Sequence, residues 1–523
     1  MLLGAFMKKR VWAFIGAVCF SLASGALLAD TFTDNEQATA AYFRLLQSDP
    51  NGLLMFLQSM PKGGDLHNHR SGSAYAENMI AAGAKTDLCL DPETNTVIPE
   101  KNCAAKVTLK NLPQSDDLYN KTINAWSLRD FQPSAGESAH DHFFAVFLKY
   151  GALSDMIRSQ NLTELTNRAG MQHEIYVETM ITAQRDKAIA LGSQLKWTDN
   201  FQAMQSQLKA LGVDHIVQQI KTELTENETY MHQTLGCGTT HAQPGCGVTV
   251  RYQYIPLRVV EPSQVFAQLM VGFEVASQDP RVVAINLVGP EDNYISLRDY
   301  HLQMQMIQYF HQLYPKVHID LHAGELTMGF VTPDNLTNHI RDAIETGHAE
   351  RIGHGVDIGY EHNPIQLLQE MATKHIAVEI CLTSNAQILS ISGHDGQIQT
   401  YLQYKVPVVL ATDDEGVLRT DLTHEFQRAV LTYHFDYPTI KTMVRNSLTY
   451  NFMPGESLWA DPDQFIPVTA CSRDHLSADK LSPDCMKLIQ SSPKAALQWA
   501  LEKQWAGFEK EMAATYRAQT AVQ

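Results

Sequence analysis

The chain has no Cys-x-x-Cys pair, no internal repeat and no low-complexity tract, so zinc-knuckle, solenoid and disordered-linker readings have nothing to stand on. Basic residues are scarce: 40 Lys and Arg face 57 Asp and Glu, a formal charge of −17. Such a surface field repels polyanions, which argues against nucleic acid as a partner and leaves small neutral substrates open. Beyond residue 29 no apolar run reaches membrane-spanning length. What is present is an ordinary globular composition, 44% hydrophobic over 523 residues with 30 Gly and 21 Pro, enough to bury a large core. The length would fill three or four average domains, but a barrel with insertions can use most of it as one.

Lys8, Lys9 and Arg10 precede the apolar run Val11–Ala29, which ends in small residues. That order is the pattern of a signal peptide over residues 1–29, cleaved near Ala26 or Ala29, against the alternative of an N-terminal anchor. The expectation is an exported protein, periplasmic or secreted, with no stable membrane anchor after cleavage. The short basic stretch MKKR from Met7 leans bacterial. The cysteines point to the same compartment: Cys89 with Cys103, Cys237 with Cys246 and Cys471 with Cys485 are local pairs in Gly-, Pro- and Asp-rich stretches, where a disulfide would restrain an insertion with little core of its own. Cys381 is left over in a strand pattern and reads as a buried small hydrophobe.

From residue 64 onward β-rich runs alternate with helix-period segments. Candidate strands are Asp65–His69, Glu174–Ile181, Val248–Val260, Val282–Val288, Val317–His322, Arg351–Val356, Ile376–Leu382 and Val406–Thr412, with helices such as Gln264–Ser277, Leu297–Tyr314, Asn335–Thr346, Pro364–His375 and Leu422–Phe435 between them. Eight strands alternating with helices predict an α/β fold, a (β/α)8 TIM-type barrel with appended helical N- and C-terminal segments. The expected division is an N-terminal helical segment at 30–60, the barrel at 61–440 with insertions at about 85–140 and 183–247, and a C-terminal helical extension at 441–523. The insertions and extensions also offer surfaces on which a homodimer could form.

The chemistry-bearing residues cluster at predicted strand ends. His67 and His69, at i and i+2 on a strand, face the same way and can grip one metal ion. A second such pair, His140 and His142, opens the helical run HDHFFAVFLKY, where i and i+2 diverge, and is excluded. The fifth strand ends in His322 with Glu325 three residues on, and the eighth ends in Asp413 and Asp414. In a parallel barrel all strand C-termini open on one face, so His67, His69, His322 and Asp413 would give a three-nitrogen, one-oxygen shell suited to one zinc ion. His354, between two glycines at the end of the sixth strand, reaches the same mouth. Taken singly, His354 reads as a core histidine and the Asp413–Asp414 pair as a helix cap before Leu422.

In order, MPKGGDLHNH, NLVGPED, HAGE, RIGHG, LTSN and TDD resemble the signature series of the adenosine deaminase family, metal-dependent purine deaminases on amidohydrolase-like barrels. The match runs from about residue 60 to 430, and the opening motif, GPED and the leader resemble most its secreted, growth-factor-like branch. The resemblance implies one Zn2+ per chain held by His67, His69, His322 and Asp413. It implies that Glu325 protonates N1 of the purine as water attacks C6, that His354 orients and helps deprotonate that water, that Asp414 contacts N7 and that the Gly289 backbone contacts N3. The implied reaction is hydrolysis of adenosine, and of 2'-deoxyadenosine, to inosine and ammonia. Ser71 stands where family members often place an acid on the ribose 5'-hydroxyl, which leaves sugar recognition open. Glu415 and Asp395 replace usual prolines, both expected in loops. The HxE and PCxxC ligand pattern of cytidine-type zinc deaminases is absent. Three alternatives stay open: a related barrel hydrolase, although VVAINLV offers no bridging lysine for a second metal; a deaminase of another 6-aminopurine nucleoside; and a secreted binding or signalling protein that keeps the barrel without turnover.

Overall fold

Eight short parallel strands organise the computed structural model, which describes residues 34–99, 103 and 106–521; the leader expected at 1–29 lies outside them. They are β1 Gly63–His69, β2 Glu174–Ile181, β3 Thr249–Tyr254, β4 Val282–Ile285, β5 His318–Ala323, β6 Arg351–His354, β7 Ala377–Ile380 and β8 Val408–Leu410. Each pairs in parallel with the next in chain order. The ring closes where β1 meets the end of β8: His69 N donates to Asp413 O at 3.1 Å and Asp413 N to His67 O at 2.9 Å, around a parallel bridge between Asn68 and Asp413. This is a (β/α)8 barrel.

Several strands stop earlier than their apolar runs. β3 ends at Tyr254 because Pro256 has no amide to give a ladder. β4 ends at Ile285 because the Asn286 side chain takes the amide of Leu287 at 2.7 Å, and the chain then turns through Gly289 at φ +107°. The helix expected over 335–346 is broken in two, a 3-10 turn at Pro333–Leu336 and an α-helix at His339–Glu345, with Asn338 out of helical geometry at φ −155° between them.

The helices that position the site are, in chain order, α1 Asp34–Leu46, α2 Pro50–Ser59, α3 Ala139–Met156, α4 Arg158–Met171, α5 Val213–Thr234, α6 Pro262–Gln278, α7 Tyr294–Leu313, α8 Leu422–Tyr433, α9 Tyr437–Thr449 and α10 Pro493–Thr520. Sequence sets their starts: Glu261 and Gln264 form a reciprocal capping box ahead of α6, with Pro262 in its first turn, and Asp421 caps α8 by accepting from His424 N at 2.9 Å. No helix among the described residues is long and apolar enough to cross a membrane.

The terminal segments share the barrel's core. Phe43 of α1, Phe56 of α2, Tyr437 of α9 and Phe508 of α10 interlock with ring centroids 5.0–6.2 Å apart. The boundary expected at 440/441 falls inside α9, which belongs to the barrel: Ser447 Oγ accepts from Gly64 N at 2.9 Å and Asn446 Nδ2 donates to Val408 O at 2.9 Å, joining β1 and β8.

The excursion over 85–140 holds a three-stranded antiparallel sheet, Cys89–Asp91, Thr96–Ile98 and Val107–Thr108, tied by a Cys89–Cys103 disulfide, and a separate core of Leu90, Leu109, Leu112 and Trp126 packed on Phe143 and Tyr150 of α3. The second excursion differs from expectation. Met204, Leu208, Ile216, Ile220 and Leu224 merge with the main core, so 183–247 is packed barrel rather than a thinly cored insertion, and Cys237–Cys246 staples its exit. Cys471–Cys485 pins a small cluster around Trp459 and Phe465. Cys381 is buried and unpaired, one residue past β7.

Candidate active site

Inside the barrel a buried charge network fixes the ring beneath the site. Arg351 of β6 reaches Glu178 of β2 at 2.5 Å, Asp320 of β5 at 3.2 Å and Glu379 of β7 at 2.6 Å. Burial, opposed by Arg351, pushes both Asp320 and Glu379 up to about 7, so one arginine faces carboxyls that do not all carry charge.

Glu379 is the first link to the metal-ligating side chains. Its Oε2 takes His67 Nδ1 at 2.8 Å, which turns His67 Nε2 to the barrel axis, where that atom is buried without a partner. Asn286 Oδ1 does the same for His322, lying 2.8 Å from its Nδ1 and 2.9 Å from its backbone N. Outer partners of this kind set tautomer and ring direction. The inward nitrogens meet: His69 Nε2 lies 3.2 Å from His322 Nε2 and 3.2 Å from Asp413 Oδ1, and His67 Nε2 lies 3.8 Å from Asp413 Oδ1. Burial, with His354 and His69 nearby, lowers His67 to about 3, and burial with the neighbouring imidazoles lowers His322. Burial alone would raise Asp413, but the hydrogen bond and charge from His69 outweigh it and hold the carboxyl far below its usual range. Neutral imidazoles and an ionised carboxylate, with an orphaned nitrogen aimed inward, are the donor set that a divalent cation needs. His67, His69 and Asp413 present ligand atoms within 4.8 Å of one another, as do His67, His322 and His354.

Close approach is bought by glycine at two places. A Cβ on Gly353 would lie 2.6 Å from His67 Cε1, and one on Gly72 would overlap the Asp414 carboxyl. Asp413 and His354 themselves sit at φ +61° and +68°, a conformation that L-residues adopt at a cost and that here aims both side chains at the centre.

The other predicted residues surround the same cavity of about 490 Å³, which Ser71, Gly289, Glu325, His354 and Asp414 line together with His69, His322 and Asp413. His354 Nε2 is unpartnered and 3.7 Å from Glu325 Oε1, while its Nδ1 faces Asn385 Oδ1 at 3.4 Å. Burial lowers His354, but Glu325 and Asp413 more than restore it, to above its ordinary value. Burial raises Glu325 and, with Asp413 alongside, raises Asp414 well above the carboxylate range. The pocket therefore offers one carboxyl held neutral, Asp414, and one, Glu325, that keeps its proton more firmly than an ordinary glutamate, beside a cluster of lone pairs. The Gly289 carbonyl is taken by Arg258 Nε at 2.7 Å, and among the described residues its amide has no acceptor. Ser71 stands half-buried in a short helix, Arg70–Ser73.

Sequence reasoning missed the supports. Besides Glu379 and Asn286, Glu291 takes the amides of Gly324 at 3.0 Å and Glu325 at 2.9 Å and pairs with His339 at 2.6 Å, so it shapes the loop that carries Glu325. Arg258 ties Gly289 O to His322 O, the latter at 3.2 Å. The available signal was a polar residue inside an otherwise apolar strand, as in AVEI and VVAIN. Glu415 corrects the loop expectation: it opens the helix Glu415–Leu418, is buried, and meets Arg168 of α4 at 2.6 Å. Asp395 lies in an exposed 3-10 turn.

The sequence profile of the adenosine deaminase family matches residues 216–459, from α5 to beyond α9. Over that stretch, a little under half of its length, the chain is similar to the adenosine deaminase family. An adenosine deaminase of Clostridium perfringens is 29% identical over 177 residues, 34% of this chain and 48% of the relative, so the chain spans about half the length of that curated relative. An adenosine deaminase of Lutzomyia longipalpis is 24% identical over 438 residues, 80% of this chain and 78% of the relative. A solved amidohydrolase from Burkholderia ambifaria with bound Zn aligns at 13% identity over 94% of this chain and 97% of its own, with a TM-score of 0.49. The motif at 60–69 lies ahead of the matched stretch and is joined to it by the β1–β8 seam.

Proposed function

We propose that the protein hydrolyses adenosine, and 2'-deoxyadenosine, to inosine and ammonia, using one zinc ion held by His67, His69, His322 and Asp413. The observation that carries this reading is the placement of Glu325, His354 and Asp414 in one cavity with His69, His322 and Asp413, with His67 in ligand reach behind them. When bound, zinc supplies a nucleophile of hydroxide strength near neutral pH by lowering the pKa of a water.

The chain's own groups do the rest. His354 Nε2, unpartnered and with raised basicity, takes the proton of the attacking water. Glu325, whose hold on its proton burial strengthens, gives that proton to N1 of the purine, which makes C6 electrophilic. The hydroxyl oxygen adds at C6, the exocyclic amine takes the proton held by His354 and leaves as ammonia, and the C6 hydroxyl returns its proton to Glu325 as it becomes the inosine carbonyl. Asp414, neutral in its burial beside Asp413, donates to N7, and the Gly289 amide donates to N3. Phe143, Phe144, Leu257 and Val288 give the base apolar walls.

A second reading, a different 6-aminopurine nucleoside, is favoured by one observation: Ser71 lines the cavity where an acid would meet the sugar. The leader and the three disulfides support export to a periplasm or to the medium. The test is ammonia release by purified, zinc-loaded protein from a panel of adenine nucleosides, alongside metal analysis. Release from adenosine with one zinc per chain supports the proposal; release from no member of the panel sinks it.

A further inference from the structure

The His-x-His pair that the metal-ligating cluster does not use sits at the start of α3. His142 turns inward: its Nδ1 meets Glu137 at 2.9 Å, its Nε2 faces the Asn124 and Ser127 carbonyls at 3.2 Å, and its ring stacks on Phe131 at 4.2 Å. His140 turns the other way, toward the loops after β4 and β5, just outside the cavity lining. Its Nε2 lies 3.2 Å from Asp292 Oδ1, in the loop after β4, and its ring lies 4.6 Å from Phe330, in the loop after β5. One turn along α3, Phe144 lies 4.8 Å from the same imidazole.

Two walls of the cavity meet at this contact. One is α3, which contributes Phe143, Phe144, Phe147 and Leu148; the facing lip is Val288, Gly289 and Pro290. Asp292 belongs to that lip and adjoins Glu291, which holds the Glu325 amide. Among the described residues no other hydrogen bond or ion pair joins α3 to the lip. We propose that His140 is a positioning residue, a clasp that with Asp292 and Phe330 closes the α3 wall over the bound substrate.

The charged groups facing His140 are Asp141 on its own helix, Asp292 on the β4 loop and Glu325 on the β5 loop. Burial disfavours its charged form, but the hydrogen bonds to Asp292 and Asp141 prevail and raise it above the ordinary histidine value, so the contact is charge-assisted. The clasp acts on closure and not on the reacting atoms, so its loss weakens substrate holding while leaving the bond-making step intact.

That the cavity binds a purine rests on the deaminase reading, so the experiment has two arms. The first is amide hydrogen exchange over residues 139–151 in the wild type, His140→Ala, Asp292→Ala, the double variant and His140→Gln, whose amide nitrogen can replace Nε2. The clasp predicts faster exchange in the alanine variants, a double variant no worse than either single, and protection largely restored by Gln. The second arm is steady-state kinetics: KM rises about tenfold in each alanine variant with kcat within about twofold, and Gln recovers most of the loss. Unchanged exchange in this segment, or kcat falling with KM fixed, overturns the clasp. If the wild type releases no ammonia, the deaminase reading falls and the exchange arm alone decides.

Discussion

Replacing Glu325 by Gln keeps the shape of the side chain and removes its transferable proton. The expected loss is about 10³-fold in kcat/KM with zinc content unchanged; near-wild-type turnover would remove Glu325 from the chemistry. Because burial raises this carboxyl, its acid form persists to higher pH than an ordinary glutamate's, and rate is lost as pH climbs through that raised value. The alkaline limb of the wild-type profile should therefore flatten in the Gln variant. Glu291 works in the opposite sense. Burial would raise it, but the His339 hydrogen bond and Arg258 prevail and lower it from 4.5 to about 2. Its stabilisation is fully present above pH 4.5 and is lost as pH falls towards 2. Glu291→Gln should cost about 3 kcal/mol at neutral pH and shallow the acid limb, read by denaturant unfolding across pH. Gly353→Ala pushes against His67 Cε1 and should cut zinc affinity about 10- to 100-fold in a folded protein; metal titration checks it. At this scale the ligands were legible because HxH, HAGE and TDD are short patterns with known directions. Glu379 and Asn286 were not, since the strands that carry them give no sign of partners 312 and 36 residues away.

Elements were legible as to kind and order but not as to ends. All eight barrel strands lie inside the runs marked by Val, Ile and Leu or extend them by a residue or two, because β-branched density reports a buried pleat. Their C-terminal limits depend on single residues such as Pro256 and Asn286, whose effect is a local hydrogen bond rather than a periodicity. The first excursion was readable as a disulfide-tied insertion with its own small core. The second was not, because amphipathic helices on a barrel and amphipathic helices in an insertion carry the same pattern. Its disulfide gives an element-scale prediction. Cys237→Ala with Cys246→Ala should lower stability by about 2–3 kcal/mol, seen as a lower denaturant midpoint, with little change in KM because the pair is absent from the cavity lining. A large KM effect would tie that loop to the pocket.

For the whole molecule, the order of eight strands fixed which ends converge, so the site followed from topology once the barrel was assigned. α9, which runs across the expected 440/441 boundary, carries both a barrel-bottom contact and the packing of the C-terminal helix. A divalent ion held by these residues would couple to the fold: at a free concentration about a thousandfold above its dissociation constant, binding would add about 4 kcal/mol to global stability. Chelation should lower the melting temperature and zinc should restore it; an unchanged melting curve would place the ion outside the folding equilibrium. The seam where His67, His69 and Asp413 exchange backbone hydrogen bonds also sets a sequence of events. A growing chain that has emitted only seven strands holds three of the histidines, His67, His69 and His322, without the facing carboxylate. The full donor set is therefore completed late, once residue 413 has emerged and docked against the first strand.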